Sequence, residues 1–315
     1  MKKLDEAGLA YRVLPGLSSI QLLAAKLGTP WQDWRLVSAH GLDVDPVWEV
    51  CRGKQVFFLT GGTWCPGDIC AALTEAGLGD LPVVIAEKLS YPDEVIHRGC
   101  AADFSGAKFD SLSVLLADSA PRMTGRSAGW PDELFDREEK VPMTKQEVRA
   151  NVLAKLGIRP DESVWDVGSG SGSVSIEMAF LAKSVWGCEI IEEALALSRR
   201  NREKFGAWNL HLVGGSAPEV LADFPAPDAV FIGGSRGNMS SIVDAVTAKN
   251  PNARILISAI ALESLHEAME TLTNAGYQIE VTQVAVSRAR AAGRLHLMMA
   301  NNPIYLILGT KPEEA

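Results

Sequence analysis

The chain has little that would hold it in a membrane, send it out of the cell or bind it to a nucleic acid. Apolar runs such as Ile304 to Leu308 fall far short of the roughly 18 residues a bilayer-spanning helix needs. The opening residues Met1-Lys2-Lys3-Leu4-Asp5-Glu6 lack the apolar core of a signal peptide, so a cytoplasmic location is expected. Basic excess is missing as well. Thirty Lys and Arg face 39 Asp and Glu for a net charge of -9, and neither half is basic, which excludes broad contact with a phosphate backbone. Cysteine is sparse and odd in number, with five residues (Cys51, Cys65, Cys70, Cys100, Cys188). None makes a C-x-x-C pair, so neither a disulfide scaffold nor a metal site is expected. What is present is core-forming material: 47% hydrophobic and 22% charged residues in 315, enough for about two domains of an intracellular enzyme.

The clearest boundary runs from Pro121 to Pro142, where Gly125, Ser127, Gly129, Pro131 and the charge run Asp136 to Lys140 cluster. Such a stretch should bury little, and residues 121–141 read as a linker between residues 1–120 and 142–315. Before it, strand-like runs (Arg35 to Ala39, Gln55 to Leu59, Val83 to Ala86, Ser111 to Ala117) alternate with helical patterns (Ser18 to Leu27, Pro66 to Ala76), as in an α/β unit. After it the alternation is more regular. Strands at Val164 to Val167, Val185 to Glu189, Leu210 to Val213, Ala229 to Ile232 and Arg254 to Ser258 take turns with helical stretches. Two late strands, Gln278 to Val286 and Ile304 to Leu308, close the pattern. This is the order of a doubly wound sheet whose last pair forms a hairpin. Thr144 followed by Glu147 predicts a capping box at the first helix of this half.

Directly after the strand ending at Val167 comes Asp166-Val167-Gly168-Ser169-Gly170-Ser171-Gly172 and then a helix. Glycines at a strand-to-helix turn let a ligand approach the backbone, and the free amides of the helix start face it. A dinucleotide fingerprint needs G-x-G-x-x-G. Here the spacing is G-x-G-x-G with an acidic residue two before the first glycine, which favours S-adenosylmethionine over NAD. The next strand ends at Glu189, about 20 residues on, where a carboxylate can accept from ribose hydroxyls. A further turn, Gly214-Gly215-Ser216-Ala217-Pro218, follows the third strand.

These segments resemble a known family. Met143 to Arg149, the turn at Asp166 to Gly172, Gly215-Ser216-Ala217-Pro218-Glu219 and Pro227 to Ser235 are similar to the decarboxylating precorrin methyltransferases of cobalamin biosynthesis. The resemblance covers nearly all of residues 141–315 and implies a class I, Rossmann-like methyltransferase domain. It implies methyl transfer from S-adenosylmethionine to carbon 15 of a precorrin, with loss of carbon dioxide from the acetate at carbon 12. Matched motif by motif, Thr144, Gly168, Ser169, Gly170, Ser171, Gly172, Glu189 and Ala217 would contact the cofactor. The first part resembles the tetrapyrrole methylases through Leu14-Pro15-Gly16-Leu17-Ser18-Ser19, His40-Gly41 and Ala86 to Ser90. The fused pair looks like the bifunctional precorrin-6Y methyltransferases acting at carbons 5 and 15. The family's opening strand, G-x-G-x-G-D loop and later G-D-P segment do not precede Pro15-Gly16. Only the second methylase subdomain is therefore matched, as a partial α/β domain, and carbon-5 methylation lacks its cofactor loop here. A separate polypeptide supplying that half, a misplaced or truncated start, or use of this part for docking would account for the departure. The family resemblance also implies a homo-oligomer, a tetramer.

Methyl transfer from a sulfonium asks mainly for positioning and desolvation, and no catalytic side chain stands out. A polycarboxylate substrate asks for cations. Arg288, Arg290 and Arg294 lie within seven residues, and on an extended segment Arg288 and Arg290 would face one side. Arg236 follows the Gly233-Gly234 turn at the carboxyl edge of the fourth strand, where such sheets bind ligands. A competing reading is another small-molecule, RNA or protein methyltransferase with an N-terminal interaction module, and its nucleic-acid form draws on Asn302-Pro303-Ile304-Tyr305. That segment faintly resembles an N-P-P-Y motif but opens the last strand rather than following the fourth.

Overall fold

The computed structural model describes residues 2–122 and 128–312. The chain divides into two compact units, Met1–Ala120 and Pro121–Ala315. Gly125 and Ser127 of the expected linker lie outside the described residues.

The first unit contains α1 (Lys2–Glu6), α2 (Ser19–Leu27), β1 (Arg35–Ser38), α3 (Pro46–Val50), β2 (Val56–Leu59), α4 (Pro66–Glu75), β3 (Pro82–Glu87), β4 (Val95–Cys100) and β5 (Ser113–Ala117). Its sheet has the order β1-β2-β5-β3-β4. Strands β1 and β2 are parallel, and the remaining neighbours are antiparallel. Phe57, Phe58, Ile85 and Leu115 are fully buried, and Trp34 stacks on Phe57 with ring centroids 6.2 Å apart.

The second unit continues with α5 (Gln146–Leu156), β6 (Ser163–Val167), α6 (Ser173–Ala179), β7 (Ser184–Glu189), α7 (Glu192–Phe205), β8 (Leu210–Gly214), β9 (Ala229–Ile232), α8 (Met239–Lys249), β10 (Arg254–Ala259), α9 (Leu262–Asn274), β11 (Gln278–Val284), β12 (Ser287–Ala292), β13 (Leu295–Ala300) and β14 (Ile304–Thr310). Seven strands form one sheet in the order β11-β14-β10-β9-β6-β7-β8. Strands β6 to β10 are mutually parallel, and β14 is antiparallel to both neighbours. Period-two alternation sends side chains to opposite faces. Val164, Ala229, Phe231 and Leu256 enter one core with α5 and α6, whereas Trp165, Val230, Ile255 and Ile257 enter the other with α8 and α9. The chain leaves β6 for β7 on one side and reaches β9 on the other. A crevice therefore opens beyond the carboxyl ends of β6 and β9.

Three expectations are corrected. The last two strands of the sheet are antiparallel neighbours, but they are not a simple hairpin, because the two-stranded ribbon β12–β13 is inserted between them. Lys145, not Thr144, caps α5, without a side-chain cap bond; the Glu147 carboxylate is instead taken by Arg288. The segment read as a linker does bury side chains. Trp130 and Phe135 are each 3% exposed, and both pack on Phe205, with centroids 5.2 and 4.7 Å away. The neighbouring charge run hides these two anchors in any averaged reading.

Between the anchors sits a buried ion cluster. Arg149 is fully buried and donates to Glu177 and Asp132 at 2.8 Å each, and also to the carbonyls of Thr144 and Trp130. Glu177 accepts further from the amides of Gly129 at 2.6 Å and Trp130 at 3.0 Å. Every residue of α6 is buried, so a carboxylate there is tolerable only when paired in this way. Replacing Arg149 with Met strands Asp132 and Glu177 as uncompensated buried charges. Urea unfolding should then show a loss of about 3–5 kcal/mol, and a loss below about 1 kcal/mol would contradict this account.

Candidate functional site

The glycine turn is bound down on several sides. Gly168, Gly170 and Gly172 have φ of +79°, +54° and +76°, the left-handed region that side chains disfavour. A Cβ on Gly168 would meet the Gly234 backbone at 3.1 Å, and one on Gly172 would meet Ser198 Oγ at 2.2 Å. The amides of Gly168 and Ser169 both donate to the Cys188 carbonyl at 3.0 Å, tying the turn to β7. At the end of β7, Glu189 is 9% exposed. One of its carboxylate oxygens accepts from Gly170 N and the other from Ile190 N and Ile191 N, all at 2.9 Å. A carboxylate offers about four acceptor positions. Three are filled by the backbone, leaving Glu189 rigid with room for about one further donor.

Beneath the turn, Asp166 is 1% exposed. Burial pushes its carboxyl from 3.8 up to about 7, opposed by hydrogen bonds from Ser175 and reinforced by the charge of Glu189. Its Oδ2 accepts from Ser175 Oγ. Its Oδ1 has no partner among the described residues, and neither do the buried hydroxyls of Ser169 and Ser171.

Two cavities open at this crevice. The smaller, about 240 Å³, is bordered by Gly168, Ser169, Gly170, Glu189, Ile190 and Ala217 among others. The larger, about 580 Å³, is bordered by apolar groups including Val148, Met239, Val284 and Ile304. Pro142, Thr144, Gly233, Gly234, Ser235 and Arg236 border both, so one wall serves two chambers.

Of the residues singled out in the sequence, Thr144, Gly168, Ser169, Gly170, Glu189 and Ala217 border the smaller cavity. Ser171 is buried behind it, and Gly172 serves as the N-cap of α6. Arg236 borders both cavities, in a left-handed conformation with φ of +50°.

The arginines expected at the end of the chain are elsewhere. Arg288 on β12 is spent on Glu147, at 3.0 and 2.6 Å, and on Asp132 at 3.2 Å, and its hydrogen bonds hold the Glu147 carboxyl below its ordinary value. Arg290 and Arg294 are exposed on the ribbon and border neither cavity. Alternate spacing put two arginines on one side of a strand but could not say what the strand faces. The sequence reading also passed over Lys145 and Glu267, which border the larger cavity. Lys145 lies inside the matched Met143 to Arg149 segment, whereas Glu267 on α9 carries no sequence signal beyond its three-residue spacing from Ser264, another bordering residue.

A doubly wound sheet with a glycine turn after its first strand and an acidic residue ending its second is the class I methyltransferase fold. Residues 133–311 match the family model described as precorrin methyltransferase domain, and the chain belongs to this family. Residues 1–104 match the tetrapyrrole (corrin/porphyrin) methylase model. A protein from Pyrobaculum calidifontis, named probable cobalt-precorrin-6B C(15)-methyltransferase (decarboxylating), is 45% identical over 57% of this chain and 94% of its own length. A precorrin-6Y C(5,15)-methyltransferase [decarboxylating] of Sinorhizobium sp. is 34% identical over 82% of this chain, and the matched region spans 63% of that relative. The crystal structure of a precorrin-6Y C5,15-methyltransferase from Geobacter metallireducens matches with a TM-score of 0.55 and 39% identity, covering 58% of this chain and 97% of that one. Among the described residues, no helix is long and apolar enough to cross a membrane.

The Asp166 carboxyl yields a prediction with a definite sign. Its folded value is raised, so the stability it contributes is full below about pH 3.8 and is lost as pH rises through about 7. Asp166→Asn should therefore gain on the native chain in urea midpoint between about pH 4 and pH 8. A native-to-variant difference that stays constant across that window rules the effect out.

Proposed function

We propose that the chain methylates a precorrin at carbon 15 from S-adenosylmethionine and removes carbon dioxide from the carbon-12 acetate. The observation that carries this reading is the shared wall. A cavity built on the glycine turn adjoins a larger apolar one, with Thr144 and the Gly233 to Arg236 loop between them. The orphaned Ser169 hydroxyl, the remaining acceptor position of Glu189 and the crowding at Gly168 and Gly172 fit a nucleoside-bearing cofactor in the smaller cavity. S-adenosylmethionine, when bound, supplies a methyl group on a positively charged sulfur. Thr144, Gly168, Ser169, Gly170, Glu189 and Ala217 hold it, with Ser171 and Gly172 fixing the turn from behind. Ile190 and Ile191 add apolar surface for its ring. The apolar walls exclude water, and the fixed amides and Glu189 keep the cofactor oriented toward the shared wall, where an in-line transfer needs it. Arg236 meets a substrate carboxylate at that wall.

Carbon-5 methylation we assign to a tetrapyrrole methylase site of which residues 1–104 carry one part, and a separate polypeptide is one way of supplying the other. Leu9, Val13, Leu14 and Leu17 are 58%, 62%, 69% and 74% exposed, an apolar stretch that suits such a partner. The enzyme acts in the cytoplasm, a reducing setting suited to the thiols of Cys51, Cys70 and Cys188. It works as a homo-oligomer, a tetramer by family resemblance, supported by the ribbon, where Leu295, Leu297, Met298 and Met299 are 67%, 51%, 66% and 49% exposed.

Three experiments test these statements. Gly170→Val places a Cβ 3.0 Å from the Pro142 carbonyl, and calorimetry should show no S-adenosylmethionine binding while circular dichroism stays native. Unchanged affinity sinks the cofactor assignment. Mass spectrometry of precorrin incubated with the chain and S-adenosylmethionine should show one methyl gained and one carbon dioxide lost; two methyls gained would mean that carbon 5 is methylated without a partner. Leu297→Glu with Met299→Glu, both on one face of β13 by alternation, should reduce the sedimenting species to a monomer. A native chain that already sediments as a monomer refutes the assembly.

A further inference from the structure

The larger cavity contains a charge pattern that the functional reading leaves unused. Its bordering side chains include three that are charged: Lys145, Arg236 and Glu267. Most of the neighbouring charges are consumed in pairs, as in Arg288 with Glu147, Arg254 with Glu162 and Lys155 with Glu280. These three make no side-chain ion pair or hydrogen bond among the described residues. Lys145 and Arg236 are exposed and keep their water, whereas Glu267 is half-buried and is the one acidic side chain among the described residues that border this cavity.

Their placement is graded. Arg236 borders both cavities, and Lys145 follows Thr144, which also borders both. Glu267, half-buried on α9, borders the larger cavity and not the smaller. Arg236 therefore lies at the junction where a methyl group would arrive, and Lys145 and Glu267 lie on the side of the larger cavity. A polycarboxylate macrocycle meets both signs. Its acid arms pair with Arg236 and Lys145, and Glu267 is the one bordering acid that can pass a proton to it.

Resting on the methylation and decarboxylation reading above, we infer that Glu267 is the acid that protonates the carbon losing carbon dioxide, while Arg236 at the junction and Lys145 on the larger cavity hold carboxylate arms. Decarboxylation breaks the bond between the acetate methylene and its carboxyl carbon, and the electron pair moves into the conjugated macrocycle. The pair then returns to the methylene carbon as a C–H bond forms. The proton comes from the Glu267 carboxyl, whose O–H bond breaks to leave a carboxylate, and water at the cavity mouth restores it. Among the bordering charged groups, Lys145 and Arg236 are engaged with carboxylates, which leaves Glu267 free for this transfer. The apolar border, including Val148, Met239, Val284 and Ile304, keeps bulk water from protonating the carbon at random.

The test follows both events in single turnovers by mass spectrometry, with the native chain, Glu267→Gln and Glu267→Asp, after calorimetry has shown native S-adenosylmethionine affinity in each. Glu267→Gln should gain the methyl group within about threefold of the native rate and lose carbon dioxide about 100-fold or more slowly, in line with the usual contribution of a general acid. A species carrying the new methyl and the old carboxyl should accumulate. Glu267→Asp should recover part of the second rate. Equal decarboxylation by Glu267→Gln and the native chain, or a parallel fall in both events, overturns the assignment while leaving the functional reading intact. A native chain that transfers no methyl group overturns that reading and this inference together.

Discussion

The guanidinium of Arg149 is the fixed point of the second unit. It is fully buried, and its donors reach Glu177 on α6, Asp132 and the Trp130 carbonyl in the segment before α5, and the Thr144 carbonyl at the cavity wall. The second oxygen of Asp132 accepts from Arg288, so the base of the ribbon is tied to the same cluster. A lysine could not replace this arrangement, because a compact ammonium lacks the planar fork that satisfies several acceptors in different directions at once. Ions this deep are tolerable only when every lone pair and proton is matched. That requirement fixes the positions of Trp130, Asp132, Thr144 and Glu177 together.

From this anchor the site follows by topology. The order in which the chain adds parallel strands reverses between β6 and β9, and at such a point the loops on either side diverge and leave a crevice. The smaller chamber is lined largely by backbone, where glycines let the chain approach a ligand and amides already hold Glu189 still. The larger one is lined by side chains from α5, α8, α9 and the late strands. Because the Gly233 to Arg236 loop and Thr144 border both, a shift at the wall is felt in each chamber. The Thr144 carbonyl is held by Arg149, so the wall has little freedom to shift.

Sequence periodicity made most of this sheet legible. Val164 to Val167, Ala229 to Ile232 and Arg254 to Ser258 are short apolar runs buried on both faces, and the glycine turn marks where the first ends. Strand β4 was not legible, because Val95 to Cys100 forms a half-exposed edge with His97 and Arg98 in it. The ribbon escaped notice for a related reason: nearly all its residues are exposed, so no inside-outside alternation exists to be read. The segment before α5 was misread because composition averages over neighbours, whereas burial is decided residue by residue. Two aromatic side chains and one aspartate outweigh an adjoining charge run when a buried arginine waits for them. Residues bordering the smaller cavity were legible because glycines and a strand-end carboxylate have fixed offsets along the chain; Glu267 and Lys145 belong to a surface assembled from distant elements and have no such offset.

Arginine placement shows the limit most clearly. Arg288 and Arg290 satisfy a spacing rule, yet Arg288 meets Glu147 and Asp132, which lie 141 and 156 residues away in the chain. Whether a cation is free for a substrate depends on such long-range neighbours. Arg236 escapes because of its backbone. A left-handed φ of +50° costs a non-glycine residue on the order of 1 kcal/mol or more, and the turn retains that conformation between Gly234 and Gly237 in a loop facing both chambers. An arginine held there at a cost, and left without an acidic partner, has its direction set by the backbone. Its position at the shared wall is therefore a property of the loop.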